Sequence, residues 1–190
     1  KVEDAHLLRL PETVDAPDCK GSYTSLALKN NNPVIAYYDC TNANLRLAEK
    51  VGALWTISDV DTVGDVGEQT SVRIAADGQP RISYQHQPVN GFGGGLKYAW
   101  RSSGGQWTTA GIDTAAHYAF FTSLRLDNQD VPHIAYQDIT NADLKFAVKQ
   151  DGQWVTETVD ARGDVGEYTS IQLDAAGNAH ISYYDLQNGA

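Results

Sequence analysis

Two segments of the chain combine aromatic rings with histidine, and these residue types together suit the recognition of a sugar. Residues 86–95 read HQPVNGFGGG, and residues 114–121 read TAAHYAFF. Aromatic rings stack on the apolar face of a sugar while polar groups bond its hydroxyls, and the same residue types also form protein contacts. The competing interpretation is that these residues only pack one irregular loop against its neighbour. The candidate ligand-binding residues are His86, Asn90, Phe92, His117, Tyr118 and Phe120, with Arg73 and Arg125 beneath them.

Two acidic segments share one spacing, DTVGDVGE at residues 61–68 and DARGDVGE at residues 160–167. Carboxylates in a glycine-bearing turn suit a hard cation such as Ca²⁺. The spacing differs from the D-x-[DN]-x-[DN]-G calcium loop, so hydrogen-bonded turns are the favoured interpretation, and no other cofactor is predicted. The candidate metal ligands are Asp61, Asp65, Glu68, Asp160, Asp164 and Glu167.

The residues that perform catalysis in enzymes do not form a recognisable set in this sequence. The acids recur symmetrically, and neither histidine of the irregular segments has a uniquely placed carboxylate. An enzyme needs a nucleophile and a base, or paired carboxylates, at one asymmetric site. There is also no G-x-S-x-G, H-E-x-x-H or phosphate-binding loop. The sequence therefore favours binding over catalysis.

A fourfold repeat must position these residues. The dipeptide Thr-Ser begins near residues 24, 70, 122 and 169, at spacings of 46, 52 and 47 residues, and each copy opens a strand of alternating apolar residues. A second alternating segment, with the pattern Ile-x-Tyr, follows after a turn, and two further short strands complete each unit. An aspartate stands nine residues before every Thr-Ser, at Asp15, Asp61, Asp113 and Asp160.

Four antiparallel strands per unit, repeated at this period, predict an all-β fold: a four-bladed β-propeller of four-stranded antiparallel blades. Residues 1–190 are expected to form a single domain. The last unit has only two strands of its own, so residues 1–18 are predicted to complete it and to close the ring by pairing with the C-terminal segment. The alternative is that the chain is a fragment of a longer array.

The two cysteines have defined places in this repeat. Cys19 aligns with Asp65 in the loop that enters a first strand, and Cys40 follows the second strand of the same unit. Both loops open on one face, so we predict a stabilising disulfide, worth about 3 kcal/mol for a loop of about 20 residues. A disulfide favours a secreted or cell-surface protein. The chain also begins with Lys1 rather than Met, which suggests that a leader was removed.

The charge of the chain excludes some partners. Lys and Arg number 14 against 24 Asp and Glu, a formal net charge of -10, and no basic run interrupts it. Nucleic acid is therefore an unfavourable partner. No apolar stretch reaches the roughly 18 residues that a membrane span needs.

The elements HISYYD, LK(Y/F)A, W-T-x-x-x-V-D and GDVGEYTS resemble a widespread repeat of secreted bacterial β-propeller proteins, many of them uncharacterised. The resemblance covers essentially the whole chain. It implies a propeller fold and does not specify a function, because propellers host lectins, glycosidases, lyases and docking platforms.

These observations lead to one main hypothesis and two alternatives. The main hypothesis is an extracellular binding module, lectin-like or adhesive, whose loop face binds a glycan or an extracellular protein. The first alternative is a structural subunit that self-assembles into homo-oligomers. The second is a secreted polysaccharide hydrolase or lyase that works through His86 and His117.

Overall fold

The structure, a computed structural model, describes residues 11–16, 18–88, 94–115 and 117–190. These residues form β-strands joined by turns and loops, and none of them is helical, which confirms the all-β prediction. Within these ranges no helix is long and apolar enough to cross a membrane. The strands are β1 (Lys20–Lys29), β2 (Asn32–Asp39), β3 (Asn44–Val51), β4 (Leu54–Asp61), β5 (Val66–Ile74), β6 (Pro80–His86), β7 (Gly95–Arg101), β8 (Trp107–Asp113), β9 (Ala119–Leu126), β10 (Pro132–Asp138), β11 (Asp143–Gln150), β12 (Gln153–Asp160), β13 (Val165–Leu173) and β14 (Ala179–Asp185).

Consecutive strands pair antiparallel into separate sheets, as the repeat predicts. The first sheet has the order β1-β2-β3-β4, the second β5-β6-β7-β8 and the third β9-β10-β11-β12, while β13 and β14 form the fourth. Each Thr-Ser lies on the first strand of its sheet, and these four strands, here called the inner strands, contact one another in order from β1 to β13.

The ends of the chain are described only in part. Residues 1–18 are predicted to complete the fourth sheet, and of these, residues 1–10 and 17 lie outside the described residues. Residues 11–16 lie against the first sheet, where Asp15 accepts a hydrogen bond from Tyr37 at 2.6 Å. Leu26 and Leu28 of β1 are 59% and 61% exposed, whereas the equivalent Val72 of β5 is fully buried. The described residues therefore do not show a closed ring.

Apolar side chains fill the spaces between neighbouring sheets. In the first interface, Leu45 and Leu47 of β3 pack against Val72, Ile82 and Tyr84 of the second sheet, all of them buried. In the second interface, Leu96 and Tyr98 pack against the equivalent residues of the third sheet, which are Leu124, Ile134 and Tyr136. The period-two pattern has this result because alternate side chains of a strand face opposite sides of the sheet.

A buried carboxylate joins each sheet to the next. Asp61, at the end of β4, accepts a hydrogen bond from the Tyr84 hydroxyl at 2.7 Å and forms an ion pair with Lys97. We call this arrangement the interblade staple. It recurs as Asp113 with Tyr136 and Lys145, and as Asp15 with Tyr37 and Arg46. Asp160 accepts the equivalent bond from Tyr183, but its cation is the exposed Arg162 of its own loop. The invariant distance from the aspartate to Thr-Ser thus places one carboxylate at every interface.

The Thr-Ser dipeptides form a second connection between the inner strands. The Thr122 hydroxyl donates to the backbone oxygen of Gln69 in the preceding sheet at 2.6 Å. The backbone N–H of Leu124 donates to the Ser71 hydroxyl at 3.1 Å, and Ile171 bonds Ser123 in the same way at 3.2 Å. Each dipeptide therefore ties its strand to a neighbour with which it shares no ladder of backbone hydrogen bonds.

Removing one hydroxyl from a buried staple tests its contribution. We expect Tyr136→Phe to lower the free energy of unfolding by about 1.5–3 kcal/mol, because the Asp113 carboxylate loses a donor inside the interface. Tyr168→Phe is the matched control, since Tyr168 is 70% exposed, and should change it by less than about 0.5 kcal/mol. Urea denaturation followed by tryptophan fluorescence measures both values. Equal effects of the two variants would contradict the importance of the staple.

The staples also predict how stability depends on pH. Burial alone would raise the pKa values of Asp61 and Asp113, but the bonds from the lysine and tyrosine partners outweigh it and hold both below the ordinary value of 3.8. The stabilisation is therefore complete above the pKa of the unfolded chain and is lost as the pH falls through the lower folded values. We expect the urea midpoint to fall steeply below about pH 4, and less steeply in Asp113→Asn. A midpoint that is flat down to pH 2.5 would disprove this explanation.

Candidate functional site

The four inner strands carry an unusual residue at one equivalent position, directly before each Thr-Ser. Tyr23, Gln69, Phe121 and Tyr168 have φ angles of 51°, 54°, 52° and 52°. Bulky residues seldom adopt this left-handed conformation, so it marks a local constraint. Strand pairing is irregular at this point in all four sheets, which indicates a bulge. We call these four residues the axial rim.

Three residues of the axial rim line a cavity, and the rim exposes aromatic surface. Tyr23, Gln69 and Phe121 line the cavity together with the threonines that follow them. The rings of Phe121 and Tyr168 lie 4.7 Å apart between centroids, and Tyr23 is 46% exposed. Partly exposed rings of this kind offer a flat apolar surface to a sugar.

Two carboxylates lie beside the rim in the second sheet. Glu68 directly precedes Gln69 and accepts a hydrogen bond from the Gln87 side chain at 2.6 Å. Asp65 accepts one from the Tyr38 hydroxyl of the first sheet at 2.7 Å, and its backbone oxygen accepts the Gln87 N–H at 2.8 Å. The loop before β5 is thus anchored to the first sheet and to the segment after β6.

The surroundings of Glu68 favour its protonated form. Burial raises the pKa of the Glu68 carboxyl, the charge of Asp65 raises it further, and the bond from Gln87 opposes them without cancelling them. Nearby, burial and the charge of Lys97 lower the pKa of His86, which favours the neutral imidazole. The second sheet therefore carries a carboxyl with a raised pKa and an imidazole with a lowered pKa, and burial is the first cause of both shifts.

The fourth sheet repeats the acids in a different setting. Asp164 accepts its bond from the Gln137 side chain at 2.9 Å rather than from a tyrosine. Leu186 takes the place of Gln87, since its backbone N–H bonds the Asp164 oxygen at 2.9 Å. Glu167 therefore lacks the glutamine that holds Glu68. At the same position the first and third sheets carry Ser22 and Phe120.

The structure brings the two irregular segments into contact. Gly94 lies so close to His117 that a Cβ atom at Gly94 would come within 1.9 Å of the His117 backbone oxygen and 2.8 Å of Pro88. Tyr118 and Phe120 contact each other at 6.2 Å between centroids, and Phe120 contacts Phe121 of the rim at 6.1 Å.

The other predicted ligand residues are distributed around this contact. His86 lies against Gly64, in the loop that carries Asp65. Arg73 and Arg125 lie on the inner strands β5 and β9. Asn90 and Phe92 lie outside the described residues.

One interface between sheets lacks a bond that its neighbours have. Tyr38 bonds Asp65 across the first interface, and Gln137 bonds Asp164 across the third. The equivalent residues of the second interface are Gln85 and His117. Both amide atoms of Gln85 and Nδ1 of His117 are buried and have no hydrogen-bond partner among the described residues. The sequence signal for this difference is the substitution of Asp65 by His117 in the repeat.

The predicted metal ligands are already engaged with other groups. Asp61 and Asp160 belong to staples, while Asp65 and Asp164 accept bonds from the neighbouring sheet. In the described ranges no group of three or more His, Cys, Asp or Glu side chains is arranged to hold a metal ion. A calcium site therefore stays a prediction.

The predicted disulfide is confirmed. Cys19 and Cys40 are bonded, with their Cα atoms 5.4 Å apart. The bond ties the loop before β1 to the end of β2, and the Cys40 backbone N–H also donates to the Cys19 oxygen at 3.0 Å.

The contact at Gly94 is testable by a single methyl group. Gly94→Ala should lower the free energy of unfolding by about 1–3 kcal/mol, because the added Cβ overlaps the His117 carbonyl and forces the two segments apart. Gly104→Ala is the matched control, since its Cβ would come no closer than 3.7 Å to another heavy atom. Thermal and urea denaturation compare the two variants. A Gly94→Ala protein as stable as the control would contradict the contact.

Comparison with known proteins establishes the fold of the chain and does not assign it to a family. No protein-family model matches it, and no curated protein sequence matches it. Solved structures do match. An endo-arabinase from Bacteroides thetaiotaomicron is similar with a TM-score of 0.54 at 13% identity, over 85% of this chain and 69% of the enzyme. The exo-β-1,3-galactanase from Phanerochaete chrysosporium matches with a TM-score of 0.58 at 10% identity, over 87% of this chain and 44% of that one.

A polysaccharide lyase, an ulvan lyase, also matches, with a TM-score of 0.51 at 13% identity, over 83% of this chain and 44% of the lyase. At these identities the likeness shows the fold alone, which is all-β and β-propeller-like. The chain spans 69% of the arabinase and less than half of the galactanase and the lyase.

These comparisons correct the main functional hypothesis. The prediction of a lectin-like or adhesive binding module is wrong, because the similar structures are glycoside hydrolases and a polysaccharide lyase. The inference failed where it took the symmetric recurrence of acids in the sequence to mean equivalent acids in space. The second alternative, a polysaccharide hydrolase or lyase, agrees better with the findings.

Proposed function

We propose that this chain is a domain of an extracellular polysaccharide-degrading enzyme, and that it hydrolyses glycosidic bonds at the axial rim. The observation that carries the proposal is the Glu68 carboxyl, half-buried beside the rim with a raised pKa. A carboxyl whose pKa is raised is better suited than an ordinary one to protonate the leaving oxygen of a glycosidic bond.

The second carboxylate of such a site is Asp65. Its charge contributes to the raised pKa of Glu68, so the two groups are electrostatically coupled. The Tyr38 hydroxyl donates to one oxygen of Asp65, which fixes the carboxylate and leaves its other oxygen for a water molecule or the sugar. Hydrolysis of a glycosidic bond uses such a pair, one member as acid and the other as base or nucleophile.

The aromatic residues of the rim are the proposed sugar platform. Tyr23 lies within the electrostatic reach of Glu68, whose charge raises the tyrosine pKa after the larger effect of burial. Phe121 lines the cavity, and the ring of Tyr168 beside it extends the apolar surface. A sugar stacked on these rings would present its glycosidic oxygen to the acid.

A lyase is the second candidate, and His86 favours it. The lowered pKa of this histidine keeps the imidazole neutral, as a base that abstracts a proton from an acidic sugar must be. Such a reaction leaves an unsaturated product, whereas hydrolysis leaves a new reducing end without unsaturation.

The proposal also includes a closed ring of four blades and an extracellular location. Four blades closed into a ring by the terminal segments agree with residues 11–16, which contact the first sheet through Asp15 as the end of an outer strand contacts the next sheet. The disulfide between Cys19 and Cys40 supports an oxidising, extracellular location.

Replacing the proposed acid tests the function. The wild-type protein is incubated with arabinan, xylan, galactan and an acidic polysaccharide, and both reducing ends and unsaturated products are measured. Glu68→Gln should lower hydrolysis of the accepted substrate about 10²–10⁴-fold, since it removes a general acid. Glu167→Gln is the matched control at the equivalent position of the fourth sheet and should retain most of the activity.

Several results would reject the proposal. An inactive wild-type protein on all four polymers rejects the enzyme. Equal losses in Glu68→Gln and Glu167→Gln reject the site. Unsaturated products whose formation depends on His86 and is unaffected by Glu68→Gln would replace the hydrolase with the lyase.

A further inference from the structure

Two arginines of this acidic chain have no carboxylate partner in the part of the chain that the structure describes. Arg73 and Arg125 form no ion pair with any of the residues that the structure describes, and both are partly buried. In the described ranges every other arginine pairs with a carboxylate, as Arg46 with Asp15, Arg81 with Asp77, Arg101 with Glu49 and Arg162 with Asp160. With a formal net charge of -10, carboxylates are not scarce, so the lack of a partner is specific to this place.

The two arginines occupy the same position on adjacent inner strands. Each follows the serine of its Thr-Ser dipeptide by two residues, Arg73 on β5 and Arg125 on β9. These strands contact each other. The equivalent residues of the other inner strands are Ala27 and Gln172, so the positive charge is confined to the second and third sheets.

Both guanidinium groups lie at the edge of their strand that faces away from the other strands of the same sheet. Nη1 of Arg73 donates to the backbone oxygen of Val72 at 2.6 Å, and Nη1 of Arg125 donates to that of Leu124 at 2.9 Å. The backbone N–H of Leu124 bonds Ser71 of the neighbouring inner strand rather than β10. In an antiparallel strand the N–H and C=O of one residue point to the same side, so the Leu124 oxygen also faces away from its own sheet.

The remaining donors of these groups suit an anion. A guanidinium has five N–H donors in a planar fork, and a backbone oxygen occupies only one of them. Nε of Arg125 donates to Gln172 at 2.9 Å, which holds the group in place without neutralising it. Burial lowers the pKa of Arg125, and no carboxylate of the described residues offsets this cost. An oxyanion would supply both the counter-charge and the bidentate acceptor that arginine prefers.

We propose that Arg73 and Arg125 bind an oxyanion, such as a sulfate, phosphate or carboxylate group, at the inner edges of β5 and β9. The site is independent of the proposed hydrolase, because neither arginine belongs to the site of Glu68 and Asp65. The oxyanion is either a free inorganic ion or an acidic group carried by a sugar chain.

Calorimetric titration with sodium sulfate, set against sodium chloride at equal ionic strength, tests the proposal on the full chain. The wild-type protein should show saturable binding of one sulfate. The dissociation constant should rise at least tenfold in Arg73→Gln and in Arg125→Gln, which corresponds to about 1.4 kcal/mol. Lys149→Gln is the matched control, since it removes one positive charge elsewhere, and should change the constant less than twofold.

Two further titrations identify the source of the anion. A glucuronate-containing oligosaccharide that binds more tightly than sulfate, and loses this binding in Arg125→Gln, supports an acidic sugar chain. Sulfate binding without binding of the acidic oligosaccharide supports a free ion. The proposal is overturned if neither probe binds saturably, or if Lys149→Gln weakens binding as much as the arginine variants do. Urea midpoints show that each variant is folded.

Discussion

The hydrogen bond from a tyrosine hydroxyl to the aspartate that ends the preceding sheet is the constraint on which the rest of this structure depends. A single twisted sheet of four short strands cannot bury both of its faces, so it must pack against neighbours. Apolar packing supplies most of the free energy of that contact and does not by itself fix its register. The interblade staple fixes the register, because the Tyr84 hydroxyl can bond Asp61 from only one face of the second sheet.

The staple also determines which polar residues are free for chemistry. Three aspartates have a structural role, and each of them also pairs with a lysine or an arginine: Asp61, Asp113 and Asp160. The remaining acids close to the inner strands lie in the loops that lead into those strands. Their backbone is held by the same interfaces, since the Thr-Ser bonds fix the axial rim directly beside Glu68. Such a rigid scaffold can hold a reactive side chain in place without an additional helix or strand.

The sequence predicted the fold well because its signals are periodic. The Ile-x-Tyr alternation and the constant distance from Asp15, Asp61, Asp113 and Asp160 to Thr-Ser both reflect geometry that every copy must satisfy. The partner of that aspartate was not predictable, because it lies in the next unit. The candidate site was harder to predict than the fold, because Tyr23 and Tyr168 belong to the axial rim through their left-handed backbone, and no residue pattern predicts that conformation.

The second interface lacks the hydrogen bond that joins Tyr38 to Asp65 and Gln137 to Asp164 at the other two interfaces. The repeated units use the same hydrogen bond to join neighbouring sheets. A unit that lacks this bond, with no evident gain in stability, indicates that its residues serve a function other than stability. Gln85 is fully buried, and neither of its amide atoms has a hydrogen-bond partner in the part of the chain that the structure describes, whereas its counterparts Tyr38 and Gln137 bond a carboxylate. Each unpaired group costs about 1–3 kcal/mol. His117 replaces that carboxylate, and the same substitution removes a negative charge from the face that carries Glu68. The interface that departs most from the repeat therefore borders the strand that carries Glu68, where the proposed hydrolase needs an asymmetric site.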